Sequence, residues 1–272
     1  MKRSRPDSRG NSRSGAVRGF QDQSPIGKFA KPALRWLLWV GLAALGLQLY
    51  FVLRIGLMLV VDPQSTAFER SEAWRLFTTK STVGWRQEWR AYDQLPETLK
   101  RAVIASEDDA FAYHDGVDWE ALEKAWEKNN KAQERAAVPL GKAVKAAKTP
   151  KIIGGSTITQ QLAKNLFLSG ERNLVRKGQE LVLTMLLEAL LDKERILEIY
   201  LNSVEWGEGI FGAEAAAQRY YKKPAWQLSN YEAARLAVML PRPRYFEKLP
   251  SSGYLASRAQ VIVGRMPHAE LP

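Results

Sequence analysis

Residues 154–168 read GGSTITQQLAKNLFL, and the rest of the chain is best approached from this stretch. Two glycines free the backbone, and Thr157-Ile158-Thr159-Gln160 then has the capping-box form of a helix start. Ile158, Leu162 and Leu166 recur every four residues and predict a buried stripe. Gln160, Gln161, Lys164 and Asn165 are left for the polar side. A helix start with free N–H groups, hydroxyls and a lysine one turn on can hold an anion, though a routine amphipathic helix has the same pattern.

Downstream, residues 181–191 (LVLTMLLEALL) are too apolar for a surface helix and should lie largely in the core. Glu180, Thr184, Glu188 and Asp192 nevertheless form one polar ridge on it, and Arg172, Arg176 and Lys177 crowd its start. Glu188, between apolar neighbours, is costly to bury alone, so it predicts either a cleft or a structural ion pair.

Upstream, residues 102–118 (AVIASEDDAFAYHDGVD) end an apolar lead-in on Glu107, Asp108 and Asp109. Clustered carboxylates beside aromatic residues raise one carboxyl pKa and prepare an acid/base, but a solvated acidic helix end is written with the same letters. His114 reads as a packing or hydrogen-bonding residue, because no second histidine lies near enough to share a metal. Between these segments, residues 123–151 carry eight Lys/Arg against three Glu and two prolines. That is a solvated helix pair or loop, or a basic element lying near anionic lipid headgroups. Gly207–Gly212 (GEGIFG) fits G-x-G-x-x-G but follows a helical segment with no βαβ context, so a tight turn and close helix packing are expected instead of a dinucleotide site. From Leu95 onward the pattern is mostly helical and without repeats.

Composition narrows the chemistry. The 272 residues contain no cysteine and two histidines, which removes disulfides, thiol nucleophiles and a histidine-rich metal cage. The net charge of +11 is concentrated at the start, where residues 1–35 hold nine Lys/Arg against Asp7 and Asp22 in Ser-, Gly- and Pro-rich sequence that predicts disorder. From Trp36 to Leu53 the chain is uncharged, and after Arg54 comes IGLMLVV. This predicts an uncleaved membrane-spanning helix over 36–61, with Trp36 and Trp39 at one interface and the basic flank in the cytoplasm. Residues 62–94 read as a short juxtamembrane region with a strand or two near 78–85, and residues 95–272 as the functional domain.

Several of these segments together carry a resemblance. Glu107-Asp108-x-x-Phe111-x-x-His114-x-Gly116-x-Asp118 and Gly155-Ser156-Thr157-Ile158-Thr159-Gln160-Gln161-Leu162-x-Lys164-Asn165 look like the first two signature motifs of the peptidoglycan glycosyltransferases. Arg176-Lys177-x-x-Glu180, the run from Glu188 through Lys193 and Tyr200 to Asn202, Gly207-x-Gly209-x-x-Gly212 and Glu232-Ala233-Ala234-x-Leu236-Ala237 resemble the others, in the same order. With one anchor and no S-x-x-K serine motif, the chain is similar to monofunctional members.

The resemblance implies a mainly α, lysozyme-like glycosyltransferase domain behind one transmembrane helix. Its implied activity transfers the growing lipid-pyrophosphate-linked glycan to the 4-hydroxyl of lipid II, with inversion. By motif, Glu107 is the general base and Glu180 the second essential carboxylate, on the donor side. Lys164, Arg172 and Arg176 or Lys177 would bind pyrophosphate, while Thr157, Gln160 and Gln161 line the donor site. Asp108, Phe111, Ser156 and Asn165 complete the implied substrate-binding set. Gln179 stands where the family often has a basic residue, and the basic stretch 129–150 is longer than usual. No organic cofactor is implied, and a divalent cation (Mg or Mn) stays open. The implied partners are lipid II, the glycan strand, the bilayer and other cell-wall or division proteins, with no nucleic acid. The implied location is the bacterial cytoplasmic membrane, with the domain on its outer side. A lysozyme-like or lytic enzyme that cleaves glycan strands is the alternative, and a non-enzymatic anchor or scaffold is a further one.

Overall fold

A computed structural model describes residues 25–79, 84–137, 155–168 and 174–272. Of residues 1–35, expected to be disordered, 1–24 lie outside the described residues, as do the basic stretch after Ala137 and Arg172, whereas 25–35 are helical, because the helix that carries the apolar run begins at Pro25.

The chain divides into two compact units, residues 1–49 and 50–272. The first is built on α1 (Pro25–Leu57), whose segment Lys31–Leu57 has a mean hydropathy of 1.9. Trp36, Leu37, Trp39 and Leu45 are exposed along it. An exposed helix of this length and apolarity fits a membrane anchor.

The second unit is helical. α3 (Glu97–Glu107) packs on α9 (Asn230–Met239), which packs in turn on α11 (Gly253–Arg265). The contact stripes are plain in the sequence: Leu99, Ala102 and Val103 on α3, and Leu255, Ala259 and Ile262 on α11, are all buried. A second group is centred on α5 (Ile158–Phe167), which packs against α2 (Ala67–Thr79), α6 (Leu174–Leu190) and α7 (Lys193–Ser203). Ile158, Leu162 and Leu166 form its buried stripe, as their spacing predicts. A small sheet of order β1-β3-β2 joins β1 (Arg86–Gln87), β3 (Ile210–Phe211) and β2 (Glu205–Gly207), with β1 parallel and β2 antiparallel to β3. The glycine-rich stretch is the β2–β3 hairpin followed by the start of α8 (Ala213–Tyr221). Gly212, at φ +82°, sits so close to the backbone of Asn202 that a Cβ would lie 2.8 Å from its carbonyl oxygen. α4 (Trp119–Ala137) and α10 (Pro243–Glu247) complete the described α-helices.

Several expectations change. Residues 78 and 79 end α2, residues 80–83 of the strand expected near 78–85 lie outside the described residues, and the described pairing starts at Arg86. α2 starts from a capping box in which the Glu69 N–H donates to Thr66 Oγ1 and the Thr66 N–H to Glu69 Oε2. It is then fastened by Arg75, which pairs with Glu72 and Glu208, so the segment read as a connector is built into the unit. The last turns of α1 belong to that unit too: Phe51, Ile55 and Met58 are core residues, and Arg195 bonds the Met58 carbonyl and Asp62. Finally, the apolar run on α6 buries Leu183, Leu187 and Leu191 but exposes Val182 and Met185, because only one side of α6 meets other helices.

Candidate active site

Two hollows flank Ser156, at the start of α5. The first, of about 360 Å³, takes Gln160, Gln161, Lys164 and Asn165 from α5 and Arg176, Lys177 and Glu180 from α6. Phe68 of α2 and Leu168 supply its apolar wall. The second, of about 210 Å³, takes Ser106, Glu107, Asp108 and Asp109 from the end of α3 and the turn after it. Asp118, Ala121, Gly155, Thr157 and Arg265 line the rest of it.

The geometry follows from how the acidic turn is pinned to the start of α5. Asp108 accepts the Ile158 N–H at Oδ2 (2.9 Å) and faces His114 Nε2 at Oδ1 (2.8 Å). His114 Nδ1 accepts the Gly116 N–H, so the ring proton lies on Nε2 and goes to Asp108. Thr157 caps α5 through its Oγ1 and completes the capping box with Gln160, while its hydroxyl donates to the Gly116 carbonyl (2.6 Å). Gly116 has φ +83°, and a Cβ there would lie 2.6 Å from Thr184 Cγ2. Only glycine fits. Beneath this turn, Lys193 donates to the His114 carbonyl and to Glu188, which also accepts from Thr159 Oγ1. Glu188 is therefore a structural ion pair and not a wall of the cleft.

Glu107 is left at the edge of this framework with a defined partner. Gln161 Nε2 donates to its Oε2 at 3.0 Å, and the buried Tyr200 hydroxyl donates to Gln161 Oε1 at 3.0 Å. The tyrosine thereby fixes which end of the amide faces the carboxylate. Burial pushes the Glu107 carboxyl above its ordinary value and the neighbouring Asp108 adds to this, while the Gln161 bond and Lys164 hold it down. A carboxyl raised in this way is suited to accept a proton. In the first hollow, buried Glu180 pairs with Arg176 (3.5 Å) and Lys177.

Of the site residues read from the sequence, Ser156, Gln160, Gln161, Lys164, Asn165, Arg176, Lys177 and Glu180 are brought together in the first hollow, and Glu107 lines the second. Phe111 is fully buried, with Lys193 Nζ 4.6 Å from its ring centroid, so the expectation that it touches substrate is corrected: it carries the turn. Asp108 and Thr157 reach the second hollow, but they are nearly buried and their polar atoms are engaged in the framework, which leaves them positioning roles. Phe68, Leu168, Tyr200 and Arg265 had been given no role. Tyr200 is legible as a motif letter, Phe68 follows a capping form without a clean apolar stripe, and Arg265 comes from a segment with no local signal.

Among the described residues no three His, Asp or Glu side chains converge as metal ligands.

Residues 76–267 match the protein family described as Transglycosylase. The chain is 54% identical over 242 residues to a biosynthetic peptidoglycan transglycosylase of Burkholderia thailandensis, with 88% of each chain covered. It is 53% identical to that of Burkholderia pseudomallei over the same shares. Against that of Burkholderia cenocepacia it is 52% identical, covering 88% of this chain and 92% of the relative.

Proposed function

The chain belongs to the transglycosylase family, and from that premise we propose that it polymerises peptidoglycan glycan strands from lipid II in cell wall synthesis. The observation that carries the reading is the pairing of two hollows of opposite chemistry, with the Glu107 carboxylate in one and its Gln161 partner lining the other.

The donor, a glycan on a lipid pyrophosphate, takes the first hollow. Lys164, Arg176 and Lys177 neutralise the pyrophosphate there as it gains charge on leaving. Arg172, just before α6, would add to them. Buried Glu180 holds Arg176 and Lys177 in place, and Gln160 and Asn165 hydrogen-bond the donor. The acceptor takes the second hollow and presents its sugar 4-hydroxyl to Glu107. Glu107 removes that proton, the oxygen bonds to the anomeric carbon, and the bond to the pyrophosphate breaks on the opposite face, so the configuration inverts. A strand-cleaving enzyme needs no cations for a leaving pyrophosphate, and the relatives named above are biosynthetic.

The N-terminal helix supports a single-pass anchor, and the basic residues before it support a cytoplasmic amino terminus with the domain on the outer face. Incubation of the full chain with lipid II, followed by sizing of the products before and after muramidase, tests the function. Polymer that muramidase digests supports it. Absence of polymer across detergents and ionic conditions overturns it.

A further inference from the structure

Arg265 is the one cation among the described residues lining the second hollow, where Glu107, Asp108, Asp109 and Asp118 supply four carboxylates. It stands in the last turn of α11, and that helix is held rigidly by buried Leu255, Ala259 and Ile262, with Met266 just beyond its end. The guanidinium points to Asp109, which accepts from Nη2 at 2.8 Å. Both side chains are half in water, at 40% and 56% exposure. An ion pair so exposed contributes little to stability and is readily exchanged. A guanidinium fork can donate to two phosphate or carboxylate oxygens in parallel, and Asp109 Oδ2 occupies the place of one such oxygen.

The surrounding charge makes this arrangement consequential. An acceptor that carries pyrophosphate and peptide carboxylates is repelled by a wall of acids, and a single cation at a fixed place admits it in only one orientation. We propose that Arg265 leaves Asp109 to bind an anionic group of the acceptor, a phosphate or a carboxylate, and so turns the acceptor's 4-hydroxyl toward Glu107. This rests on the reading that the acceptor enters the second hollow.

The test couples a labelled donor, blocked at its own terminal 4-hydroxyl, to varied concentrations of lipid II as acceptor. Arg265→Gln should raise the acceptor KM about tenfold, the size of one charge-assisted hydrogen bond, with the donor KM within about twofold. Arg265→Lys, which keeps the charge and loses the fork, should fall between. Asp109→Asn separates recognition from a mere staple of α11 to the turn: it frees Arg265 and should not raise the acceptor KM. Equal rises in the Arg265→Gln and Asp109→Asn proteins overturn the proposal, as does an unchanged KM in Arg265→Gln. An acceptor with amidated peptide carboxylates identifies the group. If the gap between wild type and Arg265→Gln persists, the partner is phosphate, and if it closes, carboxylate. Failure of the wild-type chain to couple donor to acceptor at all would instead count against the proposed function.

Discussion

The two hollows share Ser156 and little else. On the α6 side, cations surround one buried carboxylate, and on the α3 side, carboxylates surround one half-exposed cation. Neither inventory alone describes a reaction. Together they separate the two charge problems of a glycosyl transfer: an anion that must leave is met by positive charge, and a hydroxyl that must lose its proton is met by a carboxylate kept from full hydration. The difference teaches that the net charge of the chain is uninformative about its site, because opposite potentials are set up on either side of one residue.

The sharpest break of this comparison is Glu107→Gln. It keeps the shape and removes the base, so turnover should fall by roughly a hundredfold or more, with donor affinity retained. A Gln variant polymerising at near wild-type rate would assign proton removal elsewhere. On the cationic side, Lys164→Gln should lower kcat/KM about tenfold. Because Lys164 is exposed, that gap should narrow as salt rises, whereas the Glu107→Gln defect should not respond to salt. A salt-independent Lys164 defect would argue against a charge role.

Tyr200→Phe probes the link between the hollows. Without the hydroxyl, Gln161 can turn its oxygen toward Glu107, which removes a donor that favours the carboxylate. The base form already demands a pH above the ordinary glutamate range, because the Glu107 pKa is raised. The acid limb of kcat/KM should therefore move to still higher pH in the variant, with activity at pH 8 reduced only a few-fold, within the span of one neutral hydrogen bond. An acid limb that stays in place would show that the tyrosine merely fills space.

The smallest effect is expected at Glu69, in the capping box of the helix that brings Phe68 to the first hollow. Burial raises its pKa to about 7. A carboxyl whose folded pKa exceeds its unfolded value stabilises the fold below the unfolded pKa, near 4.5, and that contribution is lost as pH rises through about 7. Glu69→Gln should accordingly melt higher than wild type at pH 8 by ~1–3 kcal/mol of stability, with little difference at pH 5. Thermal melts at the two pH values decide it, and the reverse pattern would mean that the charged form is the better accommodated.

The helical class, the stripe on α5, its capping box and most of the first hollow were legible, because all are local: period, cap and motif letters lie within a few turns of one another. The second hollow was only half legible. Glu107 announced itself, but Arg265 reaches it from a helix more than 150 residues later, and no local pattern encodes that meeting. Residues 62–94 were misread for a different reason. Thr66-x-x-Glu69 has the same capping form that marked residue 157, but the following turns expose Trp74 and Phe77 and lack a clean apolar stripe. The end of the anchor was misplaced because apolar letters look alike in lipid and in a protein core. A chain starting at Asp62 would lack Phe51, Ile55 and Met58, so truncation should begin at Tyr50 to keep the core intact.

The pairing of β1 with β3, and of Arg75 with Glu208, has a consequence in time. Arg75 leaves the ribosome 133 residues before its partner, a delay on the order of 10 s at ordinary elongation rates. During that interval the segment carrying Phe68 has neither its strand partner nor its distant ion pairs. Phe68 thus gains its ring contact with Phe211, and Arg75 its pair with Glu208, only after the hairpin 205–211 has emerged, so in a nascent chain arrested before that point α2 would be held to the first hollow by its packing on α5 without these two later contacts.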